Sequence, residues 1–174
     1  GKVYPINPKG GEVLGLPIYR TLEEVAGEVD LATIVIPARA ALSAVEACAA
    51  KGVKFLSVIT SGFSEVGNNE DERKMVELAR ATGMRVLGPN IFGIFSSKVS
   101  LNATFGPGGI RPGKVAIVTQ SGALGIAMIG KTAVENIGLS AIISVGNEAD
   151  IDEADLLEYL VAQDETEIIM MYIE

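Results

Sequence analysis

The stretch that decides the fold runs from Gly113 to Gly125 and reads Gly-Lys-Val-Ala-Ile-Val-Thr-Gln-Ser-Gly-Ala-Leu-Gly. Its apolar part, Val115 to Val118, predicts a buried strand, and the apolar residues that follow Gly122 predict a helix. Ser121 stands at the N-cap position, where a side-chain oxygen can accept a free backbone N–H. The first N–H groups of a helix lack internal partners and lie at the positive end of its dipole. This turn therefore predicts a binding place for a phosphate or a carboxylate.

The composition limits the classes of function. Of the 174 residues, 48% are hydrophobic and 20 are glycine, which is typical of α/β proteins with many strand-to-helix turns. The formal charge is −8 and aromatic residues make up only 5%, which argues against a nucleic-acid-binding or anionic-membrane surface. There is no histidine, so phosphate chemistry that needs an imidazole must obtain it from elsewhere. The single cysteine, Cys48, predicts a cytoplasmic protein and favours core packing over a reactive thiol.

Apolar strand-like runs alternate with helix-like segments along the chain. Most of the apolar runs are continuous, which indicates burial on both faces of a parallel sheet and predicts a doubly wound α/β fold. Thr21 and Glu24 have the spacing of a capping box, and Gly52 and Gly83 are placed to end helices. The predicted strands are 3–6, 31–36, 53–59, 85–87, 115–119, 140–145 and 167–173, and the predicted helices are 21–25, 40–51, 69–82, 121–136 and 152–162.

The alternation breaks once, where Gly106-Pro-Gly-Gly109 and Arg111-Pro-Gly113 make a Gly/Pro-rich connector. We therefore predict two α/β units, at residues 1–94 and 113–174, joined by a linker at residues 95–112. The first unit opens on a predicted strand and the second stops straight after one. We expect both units to be incomplete and the chain to be a piece of a longer protein.

Several short motifs follow predicted strands, at the sheet edge where open α/β proteins bind ligands. Lys9, in Asn7-Pro-Lys-Gly-Gly, offers a charge to a phosphate, although this motif taken alone is more simply a solvated turn. Small and hydroxyl residues after Ile59 suit close approach by a bulky ligand, and Gly88-Pro-Asn offers an amide side chain.

Other site classes are disfavoured by missing residues. Ser121 lacks the Gly-x-Ser-x-Gly elbow, and without a histidine the usual serine triad cannot form. No Gly-x-Gly-x-x-Gly follows a predicted strand, so a dehydrogenase is a weak alternative. The acidic residues Asp150, Asp152, Glu153 and Asp155 lack the spacing of a calcium loop, so we interpret them as a helix N-cap region and predict no metal site.

Seven motifs in order resemble the nucleoside-diphosphate-forming acyl-CoA synthetases, a family that includes the ADP-forming acetate–CoA ligases and is related to the succinyl-CoA synthetase α subunit. The resemblance covers essentially the whole chain. It implies a truncated Rossmann-like CoA-binding domain, lacking its first strand and Gly-rich loop, followed by the first part of a flavodoxin-like ligase domain, both with parallel sheets. The motifs are Asn7-Pro-Lys-Gly-Gly, Gly15-Leu-Pro, Val35-Ile-Pro-Ala, Ile59-Thr-Ser-Gly-Phe-Ser-Glu, Gly88-Pro-Asn, the run from Pro112 to Ala123, and Gly146-Asn-Glu-Ala-Asp.

The resemblance also implies a reaction and its residues. The family converts acyl-CoA, ADP and phosphate reversibly to a carboxylic acid, CoA and ATP, through an acyl phosphate and a phosphohistidine that would lie outside this chain. The phosphoryl group is implied to lie at Ser121 and Gly122, with Glu174 orienting the histidine. The family often has cysteine after Gly-Pro-Asn, where this chain has Ile91. The implied CoA contacts are Lys9, Ile36, Pro37, Ile59, Thr60 and Ser61.

The same resemblance implies the cofactors and partners. Coenzyme A would bind this chain, whereas ADP or ATP with Mg would bind an ATP-grasp β subunit or fused domain. The other implied partners are a small carboxylic acid and phosphate, within an oligomer, with neither nucleic acid nor membrane. The 174 residues alone are expected to be inactive. The alternative is a non-catalytic CoA- or acyl-CoA-sensing module of a protein acetyltransferase fusion, and the sequence after Glu174 would distinguish the two.

Overall fold

The computed structural model describes residues 1–174 and contains ten strands and four α-helices. The strands are β1 (Glu12–Val13), β2 (Leu16–Pro17), β3 (Leu31–Ile34), β4 (Phe55–Val58), β5 (Arg85–Leu87), β6 (Gly93–Ser96), β7 (Leu101–Thr104), β8 (Pro112–Thr119), β9 (Leu139–Ser144) and β10 (Ile168–Tyr172). The α-helices are α1 (Ala41–Lys51), α2 (Asn69–Ala81), α3 (Gly122–Val134) and α4 (Glu153–Val161), and short 3₁₀ helices lie at Leu22–Glu24, Ala38–Ala40 and Ser64–Val66.

β1 and β2 pair as a short antiparallel ribbon, and the first of the two larger sheets has three parallel strands in the order β3-β4-β5. Its core joins Leu56 and Val86 of the sheet to Val45 of α1 and Met75 of α2. Cys48 of α1 is buried in the same core, and burial raises the pKa of its thiol to about 11. The prediction that Cys48 packs in the core is confirmed.

The second sheet has five strands in the order β10-β8-β9-β6-β7, of which β10, β8 and β9 are parallel. Successive residues of β8 point to opposite faces of the sheet. Ile117 packs in one cluster with Ile129 of α3, while Val118 packs in another with Leu156 of α4. The two helices therefore cover opposite faces, and the predicted α/β class with parallel strands is confirmed.

The segment predicted to be a linker contributes to the second sheet. β6 and β7 form an antiparallel hairpin, and Ile94 of β6 pairs with Ile143 of β9. The second sheet is therefore mixed rather than wholly parallel. These strands have only four residues each, interrupted by polar side chains such as Asn102, so they carry too weak an apolar pattern to be recognised in the sequence.

Two predicted elements near the N-terminus are wrong. Residues 3–6 form no strand, because Ile6 makes only an isolated bridge to Tyr19. The predicted helix at residues 21–25 is one 3₁₀ turn, in which Thr21 makes no side-chain cap and Glu24 accepts the N–H of Arg20 at 2.8 Å. A five-residue segment is too short to offset the cost of starting an α-helix.

None of the helices is both long and apolar enough to cross a lipid bilayer.

Candidate functional site

A cleft of about 560 Å³ lies between the two sheets, at the carboxyl ends of their parallel strands. Segments that follow β4, β5, β8 and β10 line it, together with one residue after the β6–β7 hairpin. One wall is apolar, and the other is made by the turn into α3. The lining residues are Ile59, Ser61, Asn90, Ile91, Phe92, Phe105, Gln120, Ser121, Gly122, Ala123 and Glu174.

Helix α3 begins at this cleft. Ser121 has extended backbone angles and its Oγ accepts the N–H of Leu124 at 3.3 Å, so the predicted N-cap is confirmed. The N–H groups of Gly122 and Ala123 stand at the first two helical positions, where a helix supplies no acceptor. These groups can donate hydrogen bonds to an anion, and the helix dipole favours negative charge at the same place.

Gly125 lets the start of α3 approach the apolar wall. A Cβ at this position would lie 2.4 Å from Cε1 of Phe92, which is closer than any side chain can come. Phe92 in turn packs edge-on against Phe105, with 6.4 Å between the ring centroids. The helix terminus and the aromatic pair therefore form one continuous surface of the cleft.

Gln120 links two glutamates at the edge of the cleft. Its Nε2 donates to Oε2 of Glu148 at 2.9 Å, and its Oε1 accepts the backbone N–H of Glu174. The other carboxyl oxygen of Glu148, Oε1, is buried, and no N–H or hydroxyl group donates to it. Burial raises the pKa of Glu148, and the adjacent carboxyl of Glu153 raises it further.

The loop after β9 joins the two sheets through polar side chains. Nδ2 of Asn147 donates to Glu65 at 2.6 Å and to Glu72 at 2.8 Å, both of which belong to the first unit. Oδ1 of Asn147 accepts from Asn90 at 3.3 Å. The loop is thus held on the same side of the molecule as the cleft.

Asp150, in the same loop, is the second connection. Its fully buried carboxylate pairs with Arg80 at 2.6 Å and Arg85 at 3.0 Å, and accepts the N–H of Val86 at 2.7 Å. Burial by itself would raise the pKa of Asp150, but the Val86 N–H and the two guanidinium groups together lower it. Interpreting Asp150 as part of a helix N-cap is therefore wrong, whereas Asp152 does cap α4 by accepting two N–H groups at 2.9 Å.

The structure brings five of the nine predicted site residues into the cleft: Ile59, Ser61, Ser121, Gly122 and Glu174. Lys9, Ile36, Pro37 and Thr60 do not line it. Thr60 is buried, and its hydroxyl donates to the carbonyl of Ile36 at 2.7 Å, so this group joins the ends of β3 and β4. The side chain of Lys9 is exposed in a turn, where Oδ1 of Asn7 accepts its backbone N–H at 3.0 Å.

Phe105, in the cleft, and Glu148, beside it, are among the residues that were not found from the sequence. Phe105 lies in the predicted linker, and no local pattern distinguishes it from a surface residue. Glu148 lies inside the motif Gly146-Asn-Glu-Ala-Asp, which carried the resemblance without any role for this side chain. The only signal for Glu148 in the sequence was its position between the end of a predicted strand and a predicted helix cap.

Two family models match the chain. The CoA binding domain matches residues 1–96, and the succinyl-CoA ligase like flavodoxin domain matches residues 112–174. These matched regions correspond to the two sheets, apart from the hairpin strands β6 and β7.

Characterised relatives match the chain over its whole length. The α subunit of ADP-forming acetate–CoA ligase I from Pyrococcus furiosus is 49% identical over 100% of this chain and 39% of its own length. The ADP-forming acetate–CoA ligase of Methanocaldococcus jannaschii is 45% identical over 100% of this chain and 25% of its own length. The chain therefore spans well under half of these relatives.

A solved structure has the same fold. The apo form of the dinucleotide-forming acetyl-coenzyme A synthetase 1 of Ca. Korarchaeum cryptofilum is 52% identical and superposes with a TM-score of 0.98. It covers 100% of this chain, which corresponds to 38% of that chain. A second structure of that protein, in complex with phosphate and ADP, gives a TM-score of 0.97. The resemblance to ADP-forming acyl-CoA synthetases is confirmed, and because residues 1–96 of 174 match the CoA binding domain model, the chain belongs to the CoA-binding domain family.

Proposed function

We propose that this chain is the CoA-binding part of an ADP-forming acyl-CoA synthetase, and that its cleft holds the phosphoryl group during the reaction. The observation that carries this proposal is the meeting of Ser121, Gly122 and Glu174 in one cleft at the N-terminus of α3. The whole-length similarity to ADP-forming acetate–CoA ligases supports it.

The proposed reaction starts with the attack of a phosphate oxygen on the thioester carbonyl carbon of acyl-CoA. The carbon–sulfur bond breaks, CoA leaves as the thiolate, and an acyl phosphate forms. An imidazole nitrogen from a histidine outside these 174 residues then takes the phosphoryl group and releases the carboxylate. ADP finally accepts the phosphoryl group to give ATP. In this scheme the N–H groups of Gly122 and Ala123 stabilise the charge on the phosphoryl oxygens.

Glu174 is proposed to accept the N–H of that imidazole and so to present its other nitrogen to the phosphoryl group. Changing Glu174 to Gln in the complete protein should lower phosphoenzyme formation at least about tenfold, because the hydrogen bond to a charged acceptor is lost. CoA affinity should not change. Glu158→Gln, on the exposed side of α4, is the matched control and should leave both quantities unchanged. Normal phosphoenzyme formation by the Glu174 variant would contradict the proposed role.

Coenzyme A is proposed to run along the carboxyl ends of β3 and β4, with contacts at Lys9, Ile36, Pro37, Thr60 and the Ile59–Ser61 turn. The exposed ammonium group of Lys9 fits a phosphate of CoA as a point charge. Gly11, in the same turn, has open space around its Cα, so the backbone can be approached closely.

Lys9→Glu in the complete protein should weaken CoA binding about tenfold and reduce its dependence on salt, because an attractive charge pair becomes repulsive. The measurement is titration calorimetry at two salt concentrations. Lys2→Glu makes the same change of net charge nearby and should have a much smaller effect. Equal losses in the two variants would show that Lys9 makes no specific contact.

The remaining parts of the enzyme are proposed to lie outside this chain. An ATP-grasp subunit or fused domain would bind ADP or ATP with Mg, and the assembly would be an oligomer in the cytoplasm that takes a small carboxylic acid as substrate. Within the chain, the two matched regions support a CoA-binding unit at 1–94, a connecting segment at 95–112 that includes the hairpin, and the start of a ligase unit at 113–174.

A further inference from the structure

We propose that Glu148 is a positioning residue for the candidate phosphoryl site, in which it holds the side chain of Gln120 and thereby the backbone of Glu174. This inference rests on the proposed function. Glu148 does not itself line the cleft, whereas Gln120 and Glu174 both do. Its effect on a bound phosphoryl group is therefore exerted through Gln120.

The hydrogen bonds of Gln120 give its amide one orientation. The donor end, Nε2, is bound to Glu148 at 2.9 Å, and the acceptor end, Oε1, is bound to the N–H of Glu174. An amide flip would place a donor against a donor at Glu174 and an acceptor against an oxygen at Glu148. Removing the Glu148 carboxyl would leave this amide free to rotate, and Glu174 would lose a fixed backbone position beside the cleft.

The backbone at Glu148 is held in a conformation that glutamate rarely adopts. Its φ is +53°, in the left-handed region, and its N–H donates to the carbonyl of Val145 at 3.1 Å. The next residue, Ala149, donates to the carbonyl of Gly88 at 3.1 Å, which anchors the loop to the first unit. Such a conformation persists only where the surrounding contacts fix it, as the two anchoring hydrogen bonds do here.

The surroundings of Glu148 raise its pKa above that of an exposed glutamate. The charged groups that act on the Glu148 carboxyl are the carboxylates of Glu153 and Asp152 at the start of α4. Glu148 is also linked to the backbone of Glu174 by the side chain of Gln120. Burial raises the pKa of Glu148, the negative charge of Glu153 raises it further, and the Gln120 amide only partly opposes this. The Glu148 carboxyl can accept from Gln120 in either protonation state.

The test is phosphoenzyme formation by the complete protein, supplied with acyl-CoA and phosphate, from about pH 5 to about pH 9. In the unmodified protein the amount of phosphoenzyme should fall as the pH rises through the raised pKa of Glu148, because the ionised carboxylate repels the phosphoryl group. Glu148→Gln keeps an acceptor for Gln120 and cannot ionise. It should stay within about twofold of the unmodified protein at pH values below that fall, and it should not show the fall itself.

Glu148→Ala should lower phosphoenzyme formation about tenfold at pH values below that fall, with CoA affinity unchanged as evidence of folding. Gln120→Ala should give a similar loss, and the double variant should lose no more than either single variant, because the two side chains act as one unit. Three results would overturn the inference: an alanine variant within about twofold of normal, an unchanged pH profile in Glu148→Gln, or additive losses. Absence of any phosphoenzyme in the unmodified protein would instead overturn the proposed function.

Discussion

Replacing Gly146 by alanine is expected to destabilise the protein by about 4 kcal/mol, from ~1 kcal/mol of left-handed backbone strain and ~3 kcal/mol of overpacking. Gly146 has a φ of +56°, and a Cβ there would lie 2.1 Å from the carbonyl oxygen of Pro89 and 2.7 Å from that of Asn90. Both contacts are with backbone, which cannot move aside as a flexible side chain can. The substitution would force the loop after β9 away from the turn that follows β5.

The expected loss can be measured by urea unfolding followed by far-UV circular dichroism. Gly130→Ala is the matched control, because Gly130 lies inside α3 with nothing within 4 Å of its added Cβ and no positive φ. That variant should be slightly more stable, by up to about 1 kcal/mol, since alanine is the better helix former. Equal stability of the Gly146 and Gly130 variants would show that the close approach at Gly146 carries no structural weight.

Asp150→Ala is expected to cost about 3 kcal/mol, because it leaves the buried N–H of Val86 without an acceptor and separates Arg80 and Arg85 from their shared carboxylate. These contacts join residues 64 to 70 positions apart, across the two sheets. The variant should therefore also loosen the cleft between the sheets, which would be seen as faster proteolysis at the loop after β9.

The contribution of Asp150 should depend on pH in a direction set by its lowered pKa. The stabilisation of the folded state by Asp150 is fully present above the pKa of an unfolded aspartate, about 3.9. It is lost as the pH falls through the lower pKa of the folded state. The difference in free energy of unfolding between the unmodified protein and Asp150→Ala should therefore shrink in acid. Asp30→Ala removes an exposed ion pair with Lys54 and should leave stability nearly unchanged. A similarly small loss of stability in Asp150→Ala would contradict the role of Asp150 in connecting the two sheets.

The sequence by itself determined those features that depend on neighbouring residues. The strand, Ser121 cap and helix between Gly113 and Val134 follow from an apolar run, one hydroxyl and a helical period, all within a few turns of chain. The ordered motifs likewise identified the family, because each motif is a short continuous stretch whose chemistry is local. Gly52, at the end of α1, adopts the left-handed conformation expected from its position alone.

Only the tertiary structure decided which polar side chains meet. Asp150 and Asp152 are the same residue type two positions apart, yet one is a buried ion-pair centre and the other an exposed helix cap. The difference arises from Arg80 of α2 and Arg85 of β5, which approach Asp150 from 65 to 70 positions away. Glu148 and Gln120 meet across 28 positions in the same way. Such encounters depend on how strands pair within a sheet and on how the two sheets pack, and both are properties of the whole chain that no local pattern of residues encodes.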